Sequence, residues 1–139
     1  MAHPTMFDDA DLVLGRLRRV CLALPGAKER VSHNRPHFFT TRMFAAHGGV
    51  VKGDHHSGMY DSSVLVLPDP GERPALLTDP RFFEPAYYGP SGWVGLNFRA
   101  AAVDWAEVAE LIEDSYLNTA PALLCRQLRD RAGQRGADE

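Results

Sequence analysis

The apolar residues Ala10, Val13, Leu14, Leu17, Val20, Cys21 and Leu24 recur at helical spacing and predict a helix over residues 8–24, stopped by Pro25-Gly26. Its acids Asp8, Asp9 and Asp11 fall in the first turn and its bases Arg16, Arg18 and Arg19 toward the end, as the helix macrodipole favours. Beyond Lys28 the pattern changes to short β-type runs at 30–32, 37–41, 43–47, 49–52 and 62–67, separated by Asn-Arg-Pro, Gly-Gly and Gly-Asp turns. They predict three or four antiparallel strands joined by hairpins. Four prolines within 68–80 leave room only for a short helix around Ala75-Leu76-Leu77, with Pro70 or Pro74 in its first turn. Runs at 82–88 and 93–98 then flank Gly89-Pro90-Ser91-Gly92, which has the residues of a tight hairpin. Asp104 begins the last long helix as N-cap, with Glu107 three residues on, Val103 placed to staple onto Val108, and Trp105, Val108, Ile112 and Tyr116 as the buried stripe. Pro121 interrupts or restarts that helix, and Leu123, Leu124 and Leu128 continue its apolar spacing.

Helix, strands, short helix, hairpin and long helix in that order predict an α+β fold. It is a two-layer sandwich, an antiparallel sheet with the N- and C-terminal helices packed on one face, rather than a doubly wound parallel sheet. A length of 139 residues fits a single domain, placed at 1–131, and the small polar residues of 132–139 predict a disordered tail. With 45% hydrophobic and 24% charged residues and no apolar run of roughly 20 residues, the composition is that of a soluble globular protein. The N-terminal residues carry acids where a signal peptide needs an apolar stretch, so the expected location is the cytoplasm. In that compartment Cys21 and Cys125 stay reduced, and Cys21 shares the apolar face of Leu14, Leu17 and Leu24 as a small core residue.

Catalytic and metal motifs are weak. Among six histidines, His33 and His37 are four apart across a predicted turn and His55 and His56 are adjacent, which matches no zinc-ligand spacing. Their simplest placement is at turns and strand edges, although the four could converge in space. Ser91 lacks the G-x-S-x-G setting of a nucleophile elbow, and Gly48-Gly49 with Lys52-Gly53 lacks phosphate-loop spacing. No enzyme activity, cofactor or metal is therefore expected. Asp104, Glu107, Glu110, Glu113 and Asp114 are part helix cap and part solvated ridge.

One asymmetry changes the picture. A net charge of −3 excludes a uniformly basic nucleic-acid coat, yet residues 26–52 hold Lys28, Arg30, Arg35, Arg42 and Lys52 against the single acid Glu29. On hairpins these cations can reach phosphates; a sheet edge guarded by charge explains them equally.

Residues from several segments together resemble a known family: Leu24-Pro25-Gly26-Ala27 with Glu29, Pro36 and Phe38, Leu77 with Asp79-Pro80-Arg81-Phe82-Phe83, Tyr88-Gly89 with Gly92-Trp93-Val94, and Trp105 through Tyr116 with Ala120-Pro121. Over about residues 10–125 the chain looks like a member of the MmcQ/YjbR family. The resemblance implies a two-layer antiparallel sandwich related to frataxin-like and secretion-chaperone-like topologies. It also implies DNA binding, a label resting on the likeness of two hairpins to paired wings, and it brings no catalytic residues. The stretch 47–60 is longer and more polar than the strand pair the family leads one to expect.

Two readings follow. In the first, Lys28, Arg30, Arg35, Arg42 and Lys52, with Arg99, contact the phosphate backbone of DNA weakly and without sequence preference. In the second, the chain is a non-enzymatic protein-interaction or homodimerising adaptor that uses a sheet edge or face, with Phe38, Phe39 or Tyr87 in an exposed apolar patch.

Overall fold

A computed structural model of the chain describes residues 7–138. Helix α1 spans Leu12–Leu22, one turn shorter than the periodicity predicts at its start, because Asp11 caps it: the Asp11 carboxylate accepts from the Val13 and Leu14 amides. Strands β1 (Lys28–Ser32), β2 (Arg35–Phe39), β3 (Met43–His47) and β4 (Ser63–Val66) follow, then α2 (Arg73–Thr78), β5 (Phe82–Phe83), β6 (Val94–Asn97), α3 (Trp105–Thr119) and α4 (Ala122–Asp138). The six strands form one antiparallel sheet in the order β1-β2-β3-β4-β6-β5. The α+β sandwich predicted from element order is the observed architecture.

Strand register divides the sheet into two chemically different faces, since side chains alternate along each strand. The row Glu29, Phe38, Ala45, Val66, Val94 is paired strand to strand and faces the helices. There Phe38, Ala45, Val66 and Val94 pack with Leu17 and Cys21 of α1 and Val108, Ile112 and Tyr116 of α3 in the main core. The neighbouring row Arg30, His37, Ala46, Leu65, Gly95 faces the other way, toward a second cluster of Ala46, Leu65, Phe83 and Trp93. A register slip between Phe38 and Phe39 marks a bulge on β3, and Phe44 and Ala45 both join the main core.

Three β expectations are corrected. The turn between β1 and β2 is His33-Asn34, both left-handed at φ 52° and 63°, so Arg35 and Pro36 belong to β2 and not to the turn. Pro36 is tolerated because pairing with β3 begins only at His37. The run 49–52 forms no strand and contributes one isolated bridge, Val51 to Asp54. The run 82–88 shrinks to Phe82–Phe83, because Pro85 and Pro90 lack ladder donors, and Gly89–Ser91 forms a single 3-10 turn in place of a tight hairpin. Residues 48–62 and 84–93 are thus long loops, pinned together by the Ala86 amide donating to the Val50 carbonyl at 2.8 Å.

The helical expectations hold better. Asp104 caps α3 through the Ala106 and Glu107 amides, and Pro121 restarts the chain as α4. With no proline after Pro121, α4 continues over 132–138, where composition predicts a tail; Glu139 lies outside the described residues. Cys21 and Cys125 are free and buried, and burial pushes the Cys21 thiol up. Among the described residues no helix is long and apolar enough to cross a membrane.

Ser115 ties α3 to the sheet: its hydroxyl donates to the Phe44 carbonyl at 2.5 Å and accepts from the Leu67 amide at 2.8 Å. One residue on, the Tyr116 hydroxyl donates to the Pro25 carbonyl at 2.6 Å, closing the main core at the end of α1. Ser115→Ala leaves the Phe44 carbonyl and the Leu67 amide without that partner and is expected to cost about 1–3 kcal/mol in urea unfolding; an unchanged midpoint would show the hydroxyl to be dispensable.

Candidate functional site

The alternation that sends Glu29 toward α1, where both its oxygens lie 3.0 Å from Nε of Arg18, sends Lys28 and Arg30 to the far face. Both are exposed, and the Arg30 guanidinium sits 4.6 Å over the Phe39 ring. Arg30 is opposite His37 in the register, so these cations lead along the hairpin to a cavity.

The cavity holds about 700 Å³. Ala46 and Leu65 give it an apolar floor, and the two long loops raise its walls, one with His55 and His56, the other with Tyr87 and Tyr88. The β1–β2 turn adds His33. Four histidines scattered along the sequence thus meet at one place. They form no coordination sphere: among the described residues no group of three or more His, Cys, Asp or Glu side chains is arranged to hold a metal ion. The His33 and His37 ring centroids are 6.4 Å apart, and His55 lies 5.6 Å from the Tyr87 ring.

His37 has a defined tautomer. Its Nδ1 lies 3.0 Å from the Arg35 carbonyl, which only accepts, so Nδ1 carries the proton and Nε2 is the acceptor, 3.4 Å from the Tyr88 hydroxyl. Burial lowers the His37 pKa, so the ring is neutral at physiological pH.

Arg35 is 9% exposed, and its Nη2 pairs with Asp61 at 2.9 Å. Its Nη1 is buried without a partner against Gly48, where a Cβ would come within 2.1 Å of that nitrogen. Only glycine fits there, and φ +82° at Gly48 favours glycine as well. The arginine is therefore a buried positive charge built into the cavity wall.

The structure divides the six cations singled out from sequence. Lys28 and Arg30 lie on the far face of β1, Arg42 is exposed in the β2–β3 turn, and Lys52 is exposed in the loop 48–62. Arg35 is buried and paired. Arg99 is exposed, donates to the Gly58 carbonyl at 3.1 Å, and follows β6, three strands from β2. Ion pairs among the described residues occupy Arg18, Arg35, Arg73 and Arg81, but none of Lys28, Arg30, Arg42, Lys52 or Arg99. Part of the acidic ridge is taken too: Glu107 accepts from Arg81, which also holds the Asp79 carboxylate and depresses its pKa. Of the aromatics expected in an exposed patch, Tyr87 is exposed at the cavity and Phe38 is buried in the main core; Tyr88 was missed as a site residue, because its run reads more simply as strand.

An antiparallel six-stranded sheet, with helices on one face and a histidine-lined cavity on the other, defines an α+β protein with one helix-covered face and one that holds an open cavity. The sequence model of the YjbR family matches residues 22–118, and the chain belongs to that family. The chain is also similar in fold to the crystal structure of Deinococcus radiodurans protein DR2400, described as a DUF419 domain. The TM-score is 0.60 at 20% identity, over 86% of this chain and 87% of that one. No curated protein matches.

One more histidine of this region, His47, stands apart from the cavity. It is paired with Val64 on the helix-facing side, is 2% exposed, and neither ring nitrogen has a hydrogen-bond partner. Burial pushes its pKa down to about 4. The folded protein binds this proton less readily than the unfolded chain, so the stability it governs is complete above about pH 6.5 and is lost as pH falls toward 4. Wild type should lose roughly 3 kcal/mol through this group across that window. His47→Leu should flatten the slope and raise the melting temperature more at pH 5 than at pH 7.5; parallel pH profiles would contradict the assignment.

Proposed function

We propose that this protein binds nucleic acid through the phosphate backbone, weakly and without reading sequence, using the far face of the β1–β2 hairpin. The observation that carries the reading is the set Lys28, Arg30 and Arg42: exposed, on one hairpin and its adjoining turn, and in no ion pair among the described residues. Cations left without carboxylate partners on a chain of net charge −3 concentrate positive potential where phosphates would lie. Lys52, exposed in the loop 48–62, is a further cation in no ion pair among the described residues. Arg35 adds field from below without offering its guanidinium to a phosphate.

The reading is non-catalytic. His37 is oriented by a main-chain carbonyl rather than a carboxylate, and the side chain hydrogen-bonded to its Nε2 is a tyrosine with no further activating group among its hydrogen bonds. A peptide partner adding to the free edge of β1 would meet the alternating charges of Lys28, Glu29 and Arg30, which favour that reading less.

Neutralising three or four phosphates predicts that duplex affinity, measured by fluorescence anisotropy, falls by roughly a hundredfold between about 50 and 200 mM salt. The double variant Lys28→Glu/Arg30→Glu should weaken binding and lower the salt slope by about two, with the melting temperature unchanged because both side chains are exposed. Binding that ignores salt, or that survives both reversals, would remove the hairpin from the interface.

A further inference from the structure

We propose that the cavity receives an unpaired base of a single-stranded nucleic acid whose phosphates lie along Lys28 and Arg30. This rests on the backbone-binding reading and adds the form of nucleic acid that the protein selects.

Position supports it first. The register partner of Arg30 is His37, which lines the cavity, so phosphate-binding cations and cavity mouth share one sheet face. A strand running along β1 reaches the cavity without leaving the patch. A duplex keeps its bases stacked inside and presents convex phosphate ridges, for which a concave aromatic chamber is no match. A single strand can splay a base out, and proteins that bind such strands hold bases against aromatic side chains.

The chemistry of the cavity fits a planar ring with apolar faces and a polar rim. Ala46 and Leu65 supply apolar contact from below, and Tyr87 and His55 offer rings from opposite loops. The polar rim would meet the Tyr88 hydroxyl, whose proton goes to His37 Nε2 and whose oxygen remains an acceptor. A volume of about 700 Å³ lies within the range of small-molecule pockets and leaves room for the sugar.

Tyr87 is the second independent sign. It is 79% exposed and sits at φ +71°, a left-handed conformation that bulky residues rarely adopt. Strain of this kind collects at ligand sites, where the surroundings hold it in place. Here the neighbouring Ala86 amide is fixed on Val50 of the opposite loop, which presents the ring at the cavity mouth. The ring lies 5.6 Å from that of His55 on the opposite loop and is not part of either apolar core.

The test compares a labelled oligo(dT) of about 12 nucleotides with a duplex of the same length by anisotropy in low salt, for wild type and Tyr87→Ala. The single strand should bind at least roughly tenfold more tightly, and Tyr87→Ala should weaken single-strand binding by roughly 5- to 100-fold while leaving duplex binding unchanged. Equal affinities for the two forms overturn the inference. So does a Tyr87→Ala variant that leaves single-strand binding intact or weakens both forms alike. Salt-dependent duplex binding in any of those cases leaves the backbone reading standing, whereas no binding of either form overturns both.

Discussion

The two-residue alternation of side chains across β2, β3, β4 and β6 is the constraint on which the rest of this structure depends. It commits Phe38, Ala45, Val66 and Val94 to the helices, and by the same step commits His37, Ala46, Leu65 and Gly95 to the opposite side. A slip of one residue would put histidine under α3 and phenylalanine in the cavity. The helices lock the choice, with Ser115 and Tyr116 of α3 bonded to carbonyls of β3 and of the loop after α1. The far face is then what remains: a half-covered surface closed over β5 and β6 by Phe83, Trp93 and the stack of Tyr60 on Phe83 at 4.0 Å, with the cavity opening over His37, Ala46 and Leu65 of β2, β3 and β4.

That division gives the two faces different electrostatics. On the helix side Arg18 pairs with Glu29, and Arg81 with Asp79 and Glu107, while the acids Glu110 and Glu113 of α3 lie in no ion pair among the described residues. On the far face at β1 and β2, Asp61 pairs with buried Arg35, while Lys28, Arg30 and Arg42 are in no ion pair among the described residues. The proposed anionic partner is the counterpart to these surface cations, and the cavity at their end is where the proposal puts its uncharged part. Burial of neutral His37 and His47 shows how both faces use histidine, one as an oriented acceptor and one as an uncharged core residue.

The helices were legible because their signals are local: a 3.6-residue stripe and a Pro-Gly stop for α1, an Asp104 cap for α3 and Pro121 for the start of α4, although the periodicity places the start of α1 a turn early, Asp11 being its cap. The sheet was legible in kind and less so in extent. Aromatic and β-favouring residues made 82–88 look like strand, whereas Pro85 and the close pairing of Phe82 and Phe83 alone with β6 ended it early. The family resemblance read from scattered residues agrees with the matched segment 22–118. The cavity was not legible, because two loops with no repeating pattern bring His55, His56, Tyr87 and Tyr88 to His33 and His37. Nor was the burial of Arg35, which depends on the missing side chain of Gly48 and on Asp61, 26 residues away.

The central claim is that ligands meet this protein on the face away from its helices. Amide chemical-shift mapping on titration with a single-stranded oligonucleotide tests it most directly. The account predicts perturbations at Lys28, Arg30, His37, Gly48 and Tyr87, with the exposed side of α3 at Glu110 and Asp114 unmoved. Shifts confined to the helical face, or none at saturating oligonucleotide, would contradict it.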